Sequence, residues 1–126
     1  MEKYIGTEEK KQQRYCLTVQ RVYYDAIVKG NKLKEGRTNS GIAKEIQPGD
    51  VVEFIPDDEE LSNERYAVTV KKVVAYKSFG EMLSHEGMLN LLPESNLNLA
   101  EAVDLYRGFP SYKEREALHG VLSINF

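Results

Sequence analysis

The sequence has a single cysteine, Cys16, no tryptophan and only two histidines, His85 and His119. A lone cysteine cannot close an internal disulfide, and with two histidines beside it no zinc-ligand spacing exists. Disulfide scaffolds and structural metal centres are thereby excluded, and no cofactor is expected. No stretch approaches the roughly 18 uninterrupted apolar residues of a spanning helix, and the N-terminus, MEKYIGTEEKKQQR, is polar where a signal peptide would be apolar. A soluble, cytoplasmic protein with no membrane partner is the expectation, or a nuclear one in a eukaryote. Phosphate-binding loops, nucleophile elbows, metal-binding helices and dinucleotide fingerprints are all missing.

What is present suffices for one core. The 126 residues are 41% hydrophobic and 10% aromatic, which suits a single domain. A net charge of -3 argues against a surface coated in positive charge. The average hides an uneven distribution. Five of the 20 acids and no base fall within 57–64, so the rest of the chain has 17 bases against 15 acids. Conversely, Lys29, Lys32, Lys34 and Arg37 face only Glu35 within 29–37.

Along the chain, residues 1–13 lack apolar periodicity and read as a flexible tail, with a single domain over 14–126. Tyr15, Leu17 and Val19 alternate with Cys16, Thr18 and Gln20 as in a half-buried strand, and Cys16 reads as a small buried hydrophobe. Val22, Tyr23, Ala26 and Ile27 recur at helical spacing up to Gly30, giving a helix over 21–29. Residues 32–37 suit a charged edge strand. The Pro48-Gly49-Asp50 turn launches a strand over 51–55, and Tyr66 to Tyr76 is a long β-rich run with a bulge or bend at Lys71-Lys72. Helices follow near 79–86, after the Ser78-Phe79-Gly80-Glu81 cap, and from Leu99 through Ala102, Val103 and Tyr106 to Gly108. Leu122, Ile124 and Phe126 close the chain as a strand. The order is too mixed for a sandwich and too poor in strand–helix alternation for a doubly wound sheet. A mainly β or α+β fold, a small curled barrel with peripheral helices, fits it.

Several features stand in a fixed succession. Ile27, Gly30, Lys32 and Glu35-Gly36-Arg37 come first, then Pro48-Gly49-Asp50 with Val52 and Phe54. Val68, Val70, Val73, Tyr76, Ser78-Phe79, Met82-Leu83 and Glu86-Gly87 follow, and Glu116, Gly120-Val121 and Ile124 close the series. From about Tyr15 to Phe126 this succession resembles the ASCH domain family of the PUA-like superfamily. The resemblance implies a PUA-like pseudobarrel with a cleft between barrel and helices that takes RNA or a nucleotide- or nucleoside-like small molecule. It also implies a hydrolase alternative, acting on RNA or on a modified nucleoside such as N4-acetylcytidine.

Carried over position by position, the family's lysine falls on Lys32, its acid on Glu35, its arginine on Arg37 and a second acid on Glu86. Lys34, Tyr23 and Tyr24 lie beside this signature and join it as candidate ligand contacts. If the protein is an enzyme, Lys32, Glu35 and Glu86 are its candidate catalytic residues. A buried lysine can act as a base, and an arginine fork grips phosphate or carboxylate. Glu35 stands where the small acetylcytidine-hydrolysing relatives carry a threonine nucleophile, and it has no hydroxyl to offer. Thr38 and Ser40 are near but not at that place. In a regular strand Lys32 and Lys34 share one face and Glu35 and Arg37 the other, so Lys32 meets Glu35 only if the chain twists between them. Residues 91–112 form an insertion relative to the smallest members, placed to reshape the cleft. A third reading, a protein-interaction module, uses the acidic loop 57–64 or the 91–112 helices to meet a protein partner.

Overall fold

A computed structural model describes residues 11–58 and 63–126. Residues 1–10 of the expected tail and 59–62 of the acidic loop lie outside the described residues. The chain runs β1 (Arg14–Val19), α1 (Arg21–Lys29), β2 (Lys34–Thr38), a 3-10 turn (Ala43–Glu45), β3 (Val51–Pro56), β4 (Tyr66–Thr69) and β5 (Lys72–Tyr76). It continues through α2 (Phe79–Glu86), α3 (Met88–Leu91), α4 (Leu99–Arg107), α5 (Tyr112–His119) and β6 (Val121–Asn125).

The fold is mixed α+β, with its six described strands in two three-stranded sheets and no closed barrel among the described residues. In the first sheet β3 is central, parallel to β1 and antiparallel to β4; in the second, β6 is central and antiparallel to both β2 and β5. The expected long strand over 66–76 is divided between them. Val70 exchanges backbone bonds with Gly49 and Asp50 of the first sheet's entry turn, whereas the N–H of Lys71 bonds to the Asn125 carbonyl in the second. The chain changes sheets there, at the anticipated bend. The turn itself follows from sequence: the Asp50 N–H returns to the Gln47 carbonyl, and Gly49 takes φ 93°, the left-handed position of a type II turn that favours glycine. The buried Asp50 carboxylate accepts the N–H groups of Gln13 and Gln47, tying residue 13 to the turn.

Two apolar clusters result. Leu17, Val19, Tyr24, Ile27, Val52, Phe54 and Ile124 fill the space between the sheets and α1. Phe79, Met82, Leu83, Leu91, Ala102, Tyr106 and Val121 join α2, α3 and α4 to β6, with half-buried Tyr23 packed against both clusters. Phe79 is the hub of the second: its ring stacks on Tyr106 at 4.6 Å and on Tyr112 at 5.9 Å. Both helix caps read from sequence form. Ser78 Oγ accepts the Glu81 N–H, and Asn98 and Glu101 complete a capping box.

Three expectations need correction. Cys16 is exposed, because the period of β1 puts Leu17 and Val19 inward and Cys16 outward. Val22 is 60% exposed, since the buried face of α1 is Tyr24, Ala26 and Ile27. Leu99 likewise faces out at 44% exposure, leaving Ala102 and Tyr106 to bury α4. Helix α5 has no counterpart in the sequence reading. It lacks an apolar stripe, and Leu118 is exposed. Its one buried residue is Glu116, whose carboxylate accepts the Phe79 N–H at 2.8 Å and the Arg107 Nε–H at 2.7 Å. This helix is fastened by a carboxylate that caps its neighbour α2, a contact without periodic trace.

Candidate functional site

The basic segment is only partly on the surface: Lys29 is exposed, whereas Lys32 and Glu35 are buried. After α1 the chain reverses at Gly30, φ 81°, and the N–H groups of Asn31 and Lys32 both return to the Ala26 carbonyl. Lys32 therefore precedes β2 instead of standing in it, and its side chain is released from strand alternation. It is 2% exposed and points inward with Glu35.

Lys32 Nζ donates to the carbonyl oxygens of Lys34, at 2.6 Å, and Leu91, at 2.5 Å, and sits 3.2 Å from Glu35 Oε1. Three ammonium protons meet three acceptors, so the protonated form is the one this geometry fits. The other Glu35 oxygen accepts from Arg37 Nε at 2.7 Å, and Arg37 also donates to the Thr18 carbonyl at 2.6 Å. Glu35 and Arg37 share a face of β2, as alternation requires. Lys32, Glu35 and Arg37 thus form one buried triad with an excess positive charge. Burial opposes ionisation of Glu35 more than any other single influence, yet Lys32 and Arg37 together hold its carboxyl below the usual range. Burial moves the Lys32 amine down, partly offset by Glu35. For Arg37 burial is the largest single influence and lowers it, but Glu35 and Tyr112 together keep the guanidinium more strongly basic than usual.

The triad is the floor of a cavity of about 420 Å³, walled by Tyr23, Tyr106, Phe109 and Tyr112 and edged by Gln20, Asp57 and Leu92. Tyr23 lies with its ring centroid 5.5 Å from Lys32 Nζ. Phe109 stands edge-on to Tyr106 and Tyr112, so the wall is a continuous aromatic surface backed by Phe79. Five of the lining residues, Leu92, Tyr106, Phe109, Pro110 and Tyr112, come from the 91–112 segment, which shapes the cleft.

Gly36 fixes how closely that wall approaches β2. A Cβ there would stand 2.7 Å from Met82 Cε and 2.8 Å from the Tyr106 hydroxyl. Methionine can swing away, but Tyr106 is held by its stack on Phe79. Gly36→Ala is expected to cost about 1–3 kcal/mol by overpacking, read as a lower urea midpoint. An unchanged midpoint would mean that the ring is not held against the strand.

The other candidates are placed elsewhere. Lys34 points to the opposite side of β2, where its Nζ meets Glu86 Oε1 at 2.8 Å. Glu86, at the end of α2, also accepts from the Tyr76 hydroxyl and from Asn125 Nδ2. This second cluster binds α2 to all three strands of the second sheet and does not border the cavity. Burial and the bond it donates to Glu86 push the Tyr76 phenol up to about 12. Of the two tyrosines on α1, Tyr23 faces the cavity and Tyr24 is buried in the first core beneath Arg21. The sequence offers Tyr106 and Tyr112 as stacking residues but favours Tyr23 and Tyr24 over them, and gives no sign of Phe109; the three come together only when α4 and α5 fold over the sheet. No group of His, Cys, Asp or Glu among the described residues is arranged to hold a metal ion, and no helix of the described residues is long and apolar enough to cross a membrane.

Two solved structures share this architecture. The crystal structure of hypothetical protein PH0355 is 34% identical with a TM-score of 0.75, over 90% of this chain and 96% of that one. The solution NMR structure of protein PF0455 from Pyrococcus furiosus is 31% identical with a TM-score of 0.70, over 90% and 94% respectively. None of the curated proteins compared matches the chain. The ASCH domain model matches residues 17–126, which span both sheets, the buried triad and the aromatic wall. The chain belongs to the ASCH domain family.

Proposed function

We propose that this protein binds RNA or a nucleotide-like small molecule, with a base held in the cavity above Lys32, Glu35 and Arg37. The observation that carries the reading is the cavity itself, about 420 Å³, aromatic at its walls and charged at its floor. That volume falls in the range of about 300–1,000 Å³ common for small-molecule sites. A nucleobase offers flat π faces and a hydrogen-bonding edge. The four rings supply stacking surfaces. Arg37 has donors beyond those used by Glu35 and Thr18, and Glu35 has lone pairs beyond those used by its two cations. Membership of the ASCH family supports the same ligand class. In this reading residues 14–126 are one binding domain, joined at Gln13 to the polar segment that precedes it, and the two sheets are the open form of a PUA-like pseudobarrel.

The hydrolase alternative asks Lys32 to act as a base. Its three acceptors favour a fully protonated ammonium, which has no lone pair to take a proton. The interaction-module alternative draws on an acidic loop in which Asp58 and Glu64 already pair with Arg21. Binding is therefore the reading with the most support.

Calorimetric titration with ribonucleosides and short single-stranded RNA tests it. Phe109→Ala removes part of the wall without touching the triad, and is expected to lose about 1–3 kcal/mol of stacking, or roughly 5- to 150-fold in affinity. Wild-type protein with no affinity for either ligand, or Phe109→Ala and Arg37→Ala proteins that bind as well as wild type, would rule the reading out. Deacetylation of N4-acetylcytidine that stops in Lys32→Ala would favour hydrolysis instead.

A further inference from the structure

The partition formed by Arg37 has a second side. Another cavity, of about 270 Å³, is lined from β1, β2, the loop after it and α5, and Thr18, Arg37 and Tyr112 line both this cavity and the first. The two spaces differ in chemistry. The first has carboxylates, Glu35 and Asp57, beside its arginine. The second has two arginines, Arg37 and Arg115, the hydroxyls of Thr38 and Ser40, and no carboxylate in its lining. Arg115, exposed in the first turn of α5, enters no ion pair with any described residue. Thr38 Oγ1 and Ser40 Oγ lie 2.8 Å apart; that contact uses one of their two protons and leaves the other for a third group.

In a chain of net charge -3, a recess that borders Arg115 and the triad's excess positive charge at Arg37, itself paired with Glu35 on its other side, and that has no acid in its lining is a local site of positive potential that selects an anion. Guanidinium forks and hydroxyl donors match phosphate oxygens in particular. A base seated in the first cavity carries its sugar and phosphate a few bonds away, and the two cavities have Thr18, Arg37 and Tyr112 in common. We propose that the second cavity is the phosphate subsite of the same ligand, so that the protein prefers phosphorylated nucleosides, as free nucleotides or as residues of single-stranded RNA, to free nucleosides. This rests on the base-binding reading of the first cavity. It also gives Thr38 and Ser40 a role in holding the ligand.

Cys16 makes the proposal testable by two independent readouts. It is the single cysteine of the chain, it is exposed, and it lines the second cavity and not the first. The four ribonucleosides, their 5′- and 3′-monophosphates and a single-stranded RNA hexamer are titrated into wild-type and Arg115→Gln proteins, and alkylation of Cys16 by iodoacetamide is timed in each complex. A phosphate is expected to tighten the best nucleoside about tenfold or more and to slow alkylation, which the nucleoside alone leaves unchanged. Both effects disappear in Arg115→Gln, while nucleoside affinity stays within about twofold. A hexamer that binds more tightly than any mononucleotide, with the same Arg115 dependence, supports the subsite and identifies RNA as the source; the reverse order supports it with free nucleotide as the source. A phosphate that adds nothing, or whose gain survives in Arg115→Gln, overturns the subsite and leaves the base cavity standing. If no nucleoside, nucleotide or hexamer binds, the base cavity fails and the subsite with it.

Discussion

Replacing Glu35 by alanine is expected to destabilise the protein by about 3–5 kcal/mol, the usual cost of removing one partner of a buried ion pair. Glu35 is the sole anion between two cations, 3.2 Å from Lys32 Nζ and 2.7 Å from Arg37 Nε. Without it, burial and Arg37, which both disfavour charge on Lys32, act unopposed on a lysine only 2% exposed. Lys32→Met is costly for a different reason, because it leaves the carbonyl oxygens of Lys34 and Leu91 without their donor. The double variant Lys32→Met, Glu35→Ala is expected to lose less than the two single losses combined, by about 0.5–3 kcal/mol of coupling. Urea unfolding of the four proteins measures the cycle. Additive losses, or an alanine variant within about 1 kcal/mol of wild type, would show that the triad is hydrated in solution and is no rigid floor for a ligand.

The second large effect is expected at Glu86. Its carboxylate accepts from Lys34, Tyr76 and Asn125, one residue from each strand of the second sheet, so Glu86→Ala unfastens α2 and is expected to cost about 3 kcal/mol. The pH dependence provides a check free of packing changes. Burial opposes ionisation of Glu86, but the bonds from Lys34, Tyr76 and Asn125 prevail and hold its carboxyl below the ordinary value of 4.5. A depressed carboxyl adds stability above its unfolded value and loses it as pH falls through the folded one. Glu35 is shifted in the same direction, so both carboxyls weaken the fold on acidification below about 4.5. Glu86→Gln, which keeps the side-chain shape, is expected to be less stable than wild type at neutral pH and to lose less on further acidification. Urea midpoints followed from about pH 7 to about pH 3 decide this; parallel curves for wild type and Glu86→Gln would refute it.

Much of the secondary structure is legible because it depends on neighbours in the chain. The helix over 21–29 ends at a glycine able to adopt positive φ, the helix from Leu99 begins at an Asn-Glu capping box, and β3 starts from a Pro-Gly-Asp turn. Where the local code is silent the reading fails. Helix α5 buries a glutamate in place of an apolar stripe, and the 66–76 run signals a bend at Lys71-Lys72 but not that its halves belong to different sheets.

The site divides in the same way. Alternation alone puts Glu35 and Arg37 on one side of β2 and Lys34 on the other, and the family signature singles out Lys32 and Glu86. By itself the sequence determined the helix stops, the turns, the local excess of positive charge and the family. Only the tertiary structure decided that Lys32 turns inward ahead of its strand, that Glu86 joins Lys34 away from the cavity, and that three aromatic residues of α4, α5 and their connection close over the triad. Those outcomes depend on which distant carbonyl, carboxylate or ring ends up within a few ångströms, and burial then sets how strongly such groups interact. Neither quantity is encoded in the spacing of residues along one segment.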